Sequence, residues 1–306
     1  MPHPVSRALP WTHALLALAV VAVWGSNFVV IKLGLAHLPP LLFAALRFTF
    51  ALLPAVFFLK RPPIPWRNLA AYGVLIGAGQ FGLLYIAMSG HISPGLASLV
   101  VQMQVFFTIG FSMWMTGERV KGYQWAALGL AAIGLAVIVS HTNGDVTPLG
   151  LGLVLLAALS WSLGNTVNRQ AGQVNMVAYV VWASLFSAPP LFALSLVFEG
   201  WPAMVAGVAH ADAATWGAVL WQSVGNSLFG YAAWGWLLAR HPAATITPMA
   251  LLVPVFGMGA STLLLGESLP AWKLAAAALV LSGLALNLLW PLLARRRAAP
   301  ATIAGG

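Results

Sequence analysis

The stretch VWGSNFVVIK, Val23–Lys32, places an asparagine inside an apolar run that closes on a lysine. A second stretch, LSWSLGNTVNRQ in Leu159–Gln170, repeats the order of a tryptophan, small or polar residues, an asparagine and then a cation. Trp24 and Trp161, which begin the two patterns, lie 137 positions apart. The repetition indicates that the chain contains a duplication, and the apolar setting of both stretches indicates the solvent in which it folds.

The composition is that of a protein dissolved in a bilayer. Hydrophobic residues make up 61% of the chain and charged residues only 6%, whereas soluble domains carry roughly 25% charged residues. The apolar runs are about 20 residues long, which is the length a helix needs to cross the hydrocarbon. Because a backbone in lipid must satisfy its own hydrogen bonds, the runs predict helices. The fold class is therefore predicted as all-α and integral to the membrane.

Ten spans are predicted, with short connections between them. The longest connection lies near Glu199–Ala213, where we expect a short helix at the interface. The predicted spans are Thr12–Leu35, Pro40–Phe58, Leu69–Ser89, Pro94–Met115, Gln124–Ser140, Leu149–Thr166, Met176–Val197, Ala214–Leu238, Ala243–Leu265 and Trp272–Leu293.

The cations predict the orientation of the chain. With the N-terminus in the cytoplasm, eleven of the 14 Lys and Arg residues flank the inner ends of spans, while Lys32 and Lys273 flank the outer side. Cytoplasmic flanks of membrane proteins are enriched in Lys and Arg. Both termini are therefore predicted to be cytoplasmic. The net charge of +9 is read as this topology signal and not as nucleic-acid binding, because no basic patch alternates with aromatic residues.

The duplication extends to the ends of the two halves. TGERV in Thr116–Val120 resembles LGESL in Leu265–Leu269, and Glu118 and Glu267 lie 149 positions apart. Each half holds five spans, and because five is odd the second half enters the membrane inverted, as in many secondary transporters. The predicted organisation is a cytoplasmic N-terminus at 1–11, a first repeat at 12–141, a linker at 142–148, a second repeat at 149–293 and a basic cytoplasmic tail at 294–306.

The polar residues of the two opening stretches differ in depth. Lys32 and Arg169 end their spans, and their long stems allow them to anchor at the headgroups. Asn27 and Asn165 lie about two-thirds of the way along their spans, too deep for headgroups. A buried amide needs a partner, so each either bonds to a neighbouring helix or lines a cavity.

Three longer strings carry a family resemblance. They are WGSNFVVIKLGLAHLPPLLFAALRFTF in Trp24–Phe50, GLASLVVQMQVFFTI in Gly95–Ile109 and LLVPVFG in Leu251–Gly257. Together they resemble the drug/metabolite transporter superfamily, in its EamA-type branch, over nearly the whole chain. The resemblance implies ten helices as two inverted five-helix repeats. It also implies export of small amino-acid-like metabolites, of the O-acetylserine/cysteine class, across the bacterial inner membrane.

Deep polar residues in the other spans are further candidates for a substrate cavity, because they are costly in a bilayer. Gln80 in the third span is predicted to line it. In the fourth span Gln102 and Gln104 lie about 200° apart around a regular helix. We therefore expect only one of them to face the cavity, and we favour Gln102.

The eighth span carries the most polar surface of any span. Gln222 and Asn226 share a face at i, i+4, and Tyr231 follows them. This face suits the ammonium and carboxylate of an amino acid, although a polar seam between helices would look the same. Trp161 is kept as a lining residue. The other tryptophans near these positions are assigned to anchoring or packing, as is usual at membrane interfaces.

Four residues allow two readings each. Arg47, within the second span, either reaches outward or pairs with a substrate carboxylate. Pro254 in the ninth span is a gating hinge or a static kink, because an interior proline breaks a helix hydrogen bond. Glu118 and Glu267 precede spans, where a carboxylate favours a helix N-terminus. That structural role is preferred over proton coupling.

Several function classes find no support in the sequence. Without cysteines there is no thiol chemistry, and no HExxH or phosphate-loop motif is present. No catalytic residue, metal site or cofactor is predicted, and the expected partners are a small-molecule substrate and membrane lipid. The sequence does not identify a coupling ion. The alternatives are a transporter or facilitator of another small solute and, less favoured, a membrane enzyme or a lipid-binding scaffold.

Overall fold

The computed structural model describes residues 9–116, 121–142 and 145–298. Glu118 lies outside these ranges. Within them the regular elements are helices, apart from one isolated bridge between Ile92 and Val146. The helices are α1 (Trp11–Gly34), α2 (Pro40–Leu52), α3 (Trp66–Met88), α4 (94–116), α5 (Gly122–Val139), α6 (Pro148–Gln170), α7 (Met176–Phe198), α8 (Trp201–His210), α9 (Ala213–Arg240), α10 (243–265) and α11 (Ala271–Ala298).

The prediction of an all-helical membrane protein is confirmed. Nine helical segments in the described part of the chain are long and apolar enough to cross a bilayer on their own, counting α2 together with the 3-10 turn that follows it to Phe57. The remaining span, α9, passes the same test together with the short helix α8, from which it is bent by 106°. Helix α8 occupies the long connection for which a short helix was expected, and the ten predicted spans all coincide with helices.

Several spans begin where the sequence offers a first-turn proline or a capping side chain. Pro40, Pro94 and Pro148 lie in the first turns of α2, α4 and α6, where the missing N–H would have no partner in any case. Asn175 caps α7 by accepting a hydrogen bond from the Ala178 N–H at 3.1 Å. These signals account for helix starts that hydropathy alone leaves uncertain by several residues.

Four of the described spans contain an irregular turn with α-helix on both sides, and they are the third and fourth of each five-span half. Helix α3 contains a π-helical segment, Leu75–Gly82, and α9 contains another, Trp221–Phe229. Helix α4 has a 3-10 turn at Val101–Met103, and α10 has one at Thr247–Leu252. Such irregular turns are frequent at functional sites. The two halves therefore share their departures from regular helix as well as their spans.

Contacts between helices come in matched sets. Helices α2 and α7 pack together, as do α5 and α11 and also α4 and α10. Contacts of α1 with α9 and α10 are mirrored by contacts of α6 with α3 and α4. A two-fold relation between two five-span halves would produce this pattern, because each pairing either maps onto itself or onto another observed pairing.

Small residues allow the closest approach of the halves. A Cβ on Gly25 in α1 would lie 2.5 Å from the Val253 carbonyl oxygen and from the Phe256 Cβ in α10. A Cβ on Gly257 would lie 2.5 Å from the Ser98 hydroxyl of α4. Backbone contact of this kind needs glycine, and small residues are typical of helix interfaces in lipid.

A carboxylate also joins the halves. Glu199, which follows α7, accepts hydrogen bonds from the N–H groups of Leu41 at 2.6 Å and Leu42 at 3.1 Å. These N–H groups belong to the first turn of α2, where no intrahelical acceptor exists. The negative charge also complements the positive end of the helix dipole, so Glu199 fastens the start of α2 to the end of α7.

Candidate functional site

A cavity of about 530 Å³ lies inside the bundle between the two halves. Helices α1, α3 and α4 line it from the first half, and α6, α7, α9 and α10 line it from the second. It extends to one end of the bundle, where Met176 begins α7 and Leu238 lies two residues before the end of α9. Pockets of about 300–1,000 Å³ are typical of small-molecule sites.

Seven of the eight residues predicted for a substrate cavity line this one. They come from five different helices, and their roles in binding remain predictions. The seven are Asn27, Gln80, Gln102, Trp161, Asn165, Asn226 and Tyr231.

The lining is rich in amides and contains no charged side chain among the described residues. Asn165 donates from Nδ2 to the Gln104 Oε1 at 3.1 Å. Asn27 is buried, and its Oδ1 has no hydrogen-bond partner within the described ranges. An unsatisfied buried carbonyl is costly, so this oxygen retains the capacity to accept a hydrogen bond.

The expectation that only one of Gln102 and Gln104 faces the cavity was wrong, because both line it. The 200° separation assumed a regular α-helix. The 3-10 turn at Val101–Met103 ends at Gln104, so the chain does not keep the α-helical rotation between the two residues.

Gln222 does not line the cavity, contrary to the prediction. It lies one turn before Asn226, which is the first residue of α9 to contact the cavity. The polar face of α9 is instead divided between neighbours. Ser223 donates to the backbone oxygen of Arg47 in α2 at 2.9 Å, whereas the backbone oxygen of Asn226 accepts from the Trp24 indole in α1 at 3.2 Å. The Gln222 side chain is fully buried, and neither of its amide atoms has a partner among the described residues.

Arg47 is buried and does not reach outward along the helix. Its Nη1 lies 3.3 Å from the Tyr85 hydroxyl, and its Nη2 donates to the Ser227 hydroxyl at 3.1 Å. The guanidinium carbon lies 3.6 Å from the centre of the Phe81 ring. Phe81 lines the cavity and Arg47 does not, so the ring contacts both the cation and the cavity.

Two tryptophans assigned to anchoring or packing also line the cavity. The Trp24 ring lies 5.2 Å from that of Trp234 and 6.0 Å from that of Tyr231, and all three contact the cavity. Trp24 precedes Asn27 by three residues, so helical spacing alone could have placed both on one face. Trp236 fits the earlier assignment, since it is outside the lining and lies under the Arg240 guanidinium at 4.0 Å.

Pro254 does not stand at a kink in the middle of its span, as was expected. The break in α10 comes earlier, at the 3-10 turn, and Pro254 stands in the first turn of the α-helix that follows, Val253–Leu265. There its missing N–H removes no α-helical hydrogen bond. Any hinge role for Pro254 therefore depends on the junction at Leu252 and stays a proposal.

A charged network lies beyond the other end of the cavity. Glu267 accepts hydrogen bonds from the Ser93 hydroxyl at 2.5 Å and the Gly95 N–H at 3.0 Å, at the start of α4. It also accepts from the Ser261 hydroxyl at the end of α10. Glu267 was expected to serve the helix that follows it, but the carboxylate caps α4 instead. It thereby ties together helices of both halves.

The cation of this network is Lys273, which was assigned to the outer flank of a span. The structure places it in α11 with no exposed side-chain surface. Its Nζ lies 2.7 Å from Oδ2 of Asp145 and 2.9 Å from Oε1 of Glu267. A buried ammonium needs such partners, and Asp145 supplies one from the connection between α5 and α6.

The environment of Glu267 favours its ionised form. Burial alone would raise the pKa of this carboxyl, but hydrogen bonds from Ser261, Ser93, Lys273 and the Gly95 N–H outweigh burial and hold its pKa below the ordinary value. A carboxylate that accepts several hydrogen bonds is a poor proton carrier near neutral pH. In the described part of the chain, no three His, Asp or Glu side chains lie close enough together to hold a metal ion.

Comparison with known proteins places the chain in a family. The sequence model of the EamA-like transporter family matches residues 11–140 and again residues 148–289. A "probable amino-acid metabolite efflux pump" of Salmonella typhimurium is 40% identical over 278 residues, covering 89% of this chain and 93% of that protein. The protein of the same name in Escherichia coli is 39% identical over the same shares.

A solved crystal structure shares the fold. It superposes with a TM-score of 0.62 at 19% sequence identity, covering 94% of this chain and 99% of the other. The double match of the family model agrees with the duplication seen in the sequence and in the helix contacts. The chain belongs to the EamA-like transporter family and is a multi-pass membrane transporter, not an enzyme.

Proposed function

We propose that this protein exports small amino-acid-like metabolites of the O-acetylserine/cysteine class across the bacterial inner membrane. The observation that carries the proposal is the cavity between the halves, with amide, indole and phenol groups and no charged side chain in its described lining. The names of the two efflux-pump relatives support the same class of cargo.

The chemistry of the lining favours a zwitterion. Each amide side chain offers two N–H donors for a carboxylate and an oxygen acceptor for an ammonium. A cavity whose lining held an acid would favour cations, and the described lining holds none. The Asn27 oxygen, buried without a partner, offers one acceptor for an ammonium group.

Alternating access is proposed from the duplication. Two five-span halves inserted with opposite orientation would place one site near the midplane and open it to either side by rocking. The cavity reaches one end of the bundle at Met176 and Leu238, and we propose that it opens there. Beyond the lining residues Val101 and Val253, α4 closes against α10 where Ser98 meets Gly257.

The open end is proposed to face the cytoplasm, together with both termini. Arg169 and Arg240 lie in the last turns of α6 and α9, at the same end as Met176. A concentration of Lys and Arg there fits a cytoplasmic surface. In this orientation the structure is inward-facing, the state in which an exporter loads its cargo.

Counterflow in proteoliposomes tests the proposal. Vesicles loaded with unlabelled O-acetylserine or cysteine are diluted into the labelled solute, and the label is expected to accumulate transiently inside. Asn226→Ala removes a lining amide and is expected to slow exchange by at least about tenfold, the equivalent of one hydrogen bond of about 1.4 kcal/mol. Asn287→Ala removes an amide of α11 that lies outside the cavity lining and should leave exchange unchanged.

The outcomes separate cargo from site. A folded wild type that exchanges no member of an amino-acid panel would make the cargo assignment wrong. A wild type and an Asn226→Ala variant of equal activity would retain the cargo and remove Asn226 from the site.

A further inference from the structure

Arg47 has an unusual environment for a buried cation. Its side chain is 1% exposed, and no Asp or Glu among the described residues forms an ion pair with it. Its two terminal nitrogens reach only the hydroxyls of Tyr85 and Ser227, and its Nε has no hydrogen-bond partner in the described ranges. Buried arginines are almost always paired with an anion, so the usual partner of this guanidinium is missing from its own surroundings.

Aromatic rings take the place of the anion. The Phe81 ring centre lies 3.6 Å and the Phe48 ring centre 5.2 Å from the guanidinium carbon. A cation over a ring is attracted less strongly than a cation paired with a carboxylate in the same low dielectric. The Phe81 ring contacts the guanidinium and also lines the cavity, and it belongs to the π-helical segment of α3.

Further unused polar atoms lie on the adjoining part of α9. Ser227 accepts from Arg47 and donates to the backbone oxygen of Gln222 at 2.9 Å. The side-chain Nε2 and Oε1 of Gln222 are buried without partners among the described residues. With Arg47 Nε they make three unpaired polar atoms on two packed helices, α2 and α9. Native structures seldom leave such groups unpaired unless a ligand or water pairs with them.

We propose that Arg47 is the specificity-determining residue for the carboxylate of the transported solute, and that the Phe81 ring covers it when no solute is bound. This inference rests on the proposed export function and names the chemical group that the transporter selects. The solute carboxylate enters the cavity, the Phe81 side chain turns aside, and the guanidinium exchanges its ring contact for charge-assisted hydrogen bonds. Amides and amines of the same size lack the anion that makes this exchange favourable.

The test compares a solute with and without its carboxylate. Labelled O-acetylserine counterflow is measured in competition with unlabelled cysteine and with cysteinamide, which differs at the carboxyl group alone. The wild type is expected to bind cysteine about 10- to 100-fold better, the range expected for a hydrogen bond to a charged group. Arg47→Met should reduce this preference to near one, mainly by weakening cysteine, and Arg47→Lys should retain only part of it.

Arg240→Met is the matched control. This arginine also lies over an aromatic ring, that of Trp236, but it is exposed and outside the cavity. It should keep the wild-type preference. A wild type that prefers cysteine while Arg47→Met keeps the same preference overturns the assignment, as does a wild type that transports but does not discriminate. A wild type that transports neither solute contradicts the export function itself, which is a separate result.

A second variant keeps the inference testable should Arg47→Met fail to fold. In Phe81→Leu the ring is gone, and Arg47 is expected to react with an arginine-specific dicarbonyl reagent at the open cavity. Cysteine should slow this labelling at least about tenfold and cysteinamide should not, as read by mass spectrometry of the Arg47 peptide. Equal protection by the two solutes, or labelling unaffected by either, would show that Arg47 only packs α2 against α9.

Discussion

The Nζ of Lys273 lies 2.9 Å from Oε1 of Glu267, although the two residues belong to a segment that was expected to flank the membrane. Lys273 is fully buried and bonds to Asp145 as well. Through Glu267 the same network reaches Ser93 and Gly95 at the start of α4. The end of the bundle opposite the open end of the cavity is therefore held by charges and hydrogen bonds, in addition to apolar packing.

Removing the cation should destabilise this end of the protein. Lys273→Met leaves Asp145 and Glu267 without their ammonium partner, and breaking a buried pair costs about 3–5 kcal/mol. The expected result is a clear fall in the free energy of unfolding, measured by denaturant titration of the detergent-purified protein. Lys60→Met removes an exposed lysine and should change the stability by less than about 0.5 kcal/mol. Equal stabilities of the two variants would contradict the role of the network.

The network also predicts how stability depends on pH. The pKa of Glu267 is lowered in the folded protein from an ordinary value of 4.5, so its contribution is fully present above that value and is lost as the pH falls through the lower folded pKa. Glu267→Gln should therefore be less stable than the wild type at neutral pH, and the difference should shrink below about pH 4.5. Thermal midpoints measured across this range check the sign. A difference that grew as the pH fell would show that Glu267 is held protonated.

The cavity amides should matter more for transport than for folding. Asn27 has an unpaired buried oxygen, so Asn27→Ala removes an unsatisfied group and should leave stability unchanged or higher while slowing transport about tenfold or more. Asn68 is the opposite case, since it donates to the Val167 oxygen at 2.9 Å and accepts from the Tyr179 hydroxyl at 2.8 Å.

Asn68→Ala is the matched control for that comparison. It should lower the free energy of unfolding by about 1–3 kcal/mol, because it leaves two buried partners unpaired. Thermal midpoints and counterflow rates are measured on the same preparations of both variants. An Asn27→Ala variant that lost stability and transport in parallel would make Asn27 a structural residue.

Much of the architecture could be predicted from the sequence, because hydropathy and glycine, proline and asparagine signals act locally. The ten spans follow from runs of apolar residues, and the duplication follows from Trp24 and Trp161. The amides that line the cavity could be proposed because an amide in lipid is costly unless it has a hydrogen-bond partner. Asn27 and Asn165 needed no tertiary information to stand out.

The predictions that were wrong depend on contacts between residues distant in sequence or on breaks in the helical period. Gln104 was rejected because a regular helix was assumed through the 3-10 turn that precedes it. Gln222 was predicted to line the cavity because it shares a helix face with Asn226. It does not, because the packing of other helices sets the depth at which the cavity ends. Lys273 and Glu267 are joined to Asp145 and Ser93 across more than 120 residues of sequence, which no local pattern reveals.

The position of the transport path can be tested directly, because the chain has no cysteine. A single cysteine is introduced at Ala250, which lines the cavity, and another, in a separate variant, at Leu263, which is 85% exposed on the surface of α10. Counterflow of O-acetylserine is then measured before and after reaction with a bulky thiol reagent. We predict that modification stops exchange only in Ala250→Cys and that O-acetylserine slows the labelling only there. Full exchange by a completely modified Ala250→Cys protein would contradict a path through this cavity.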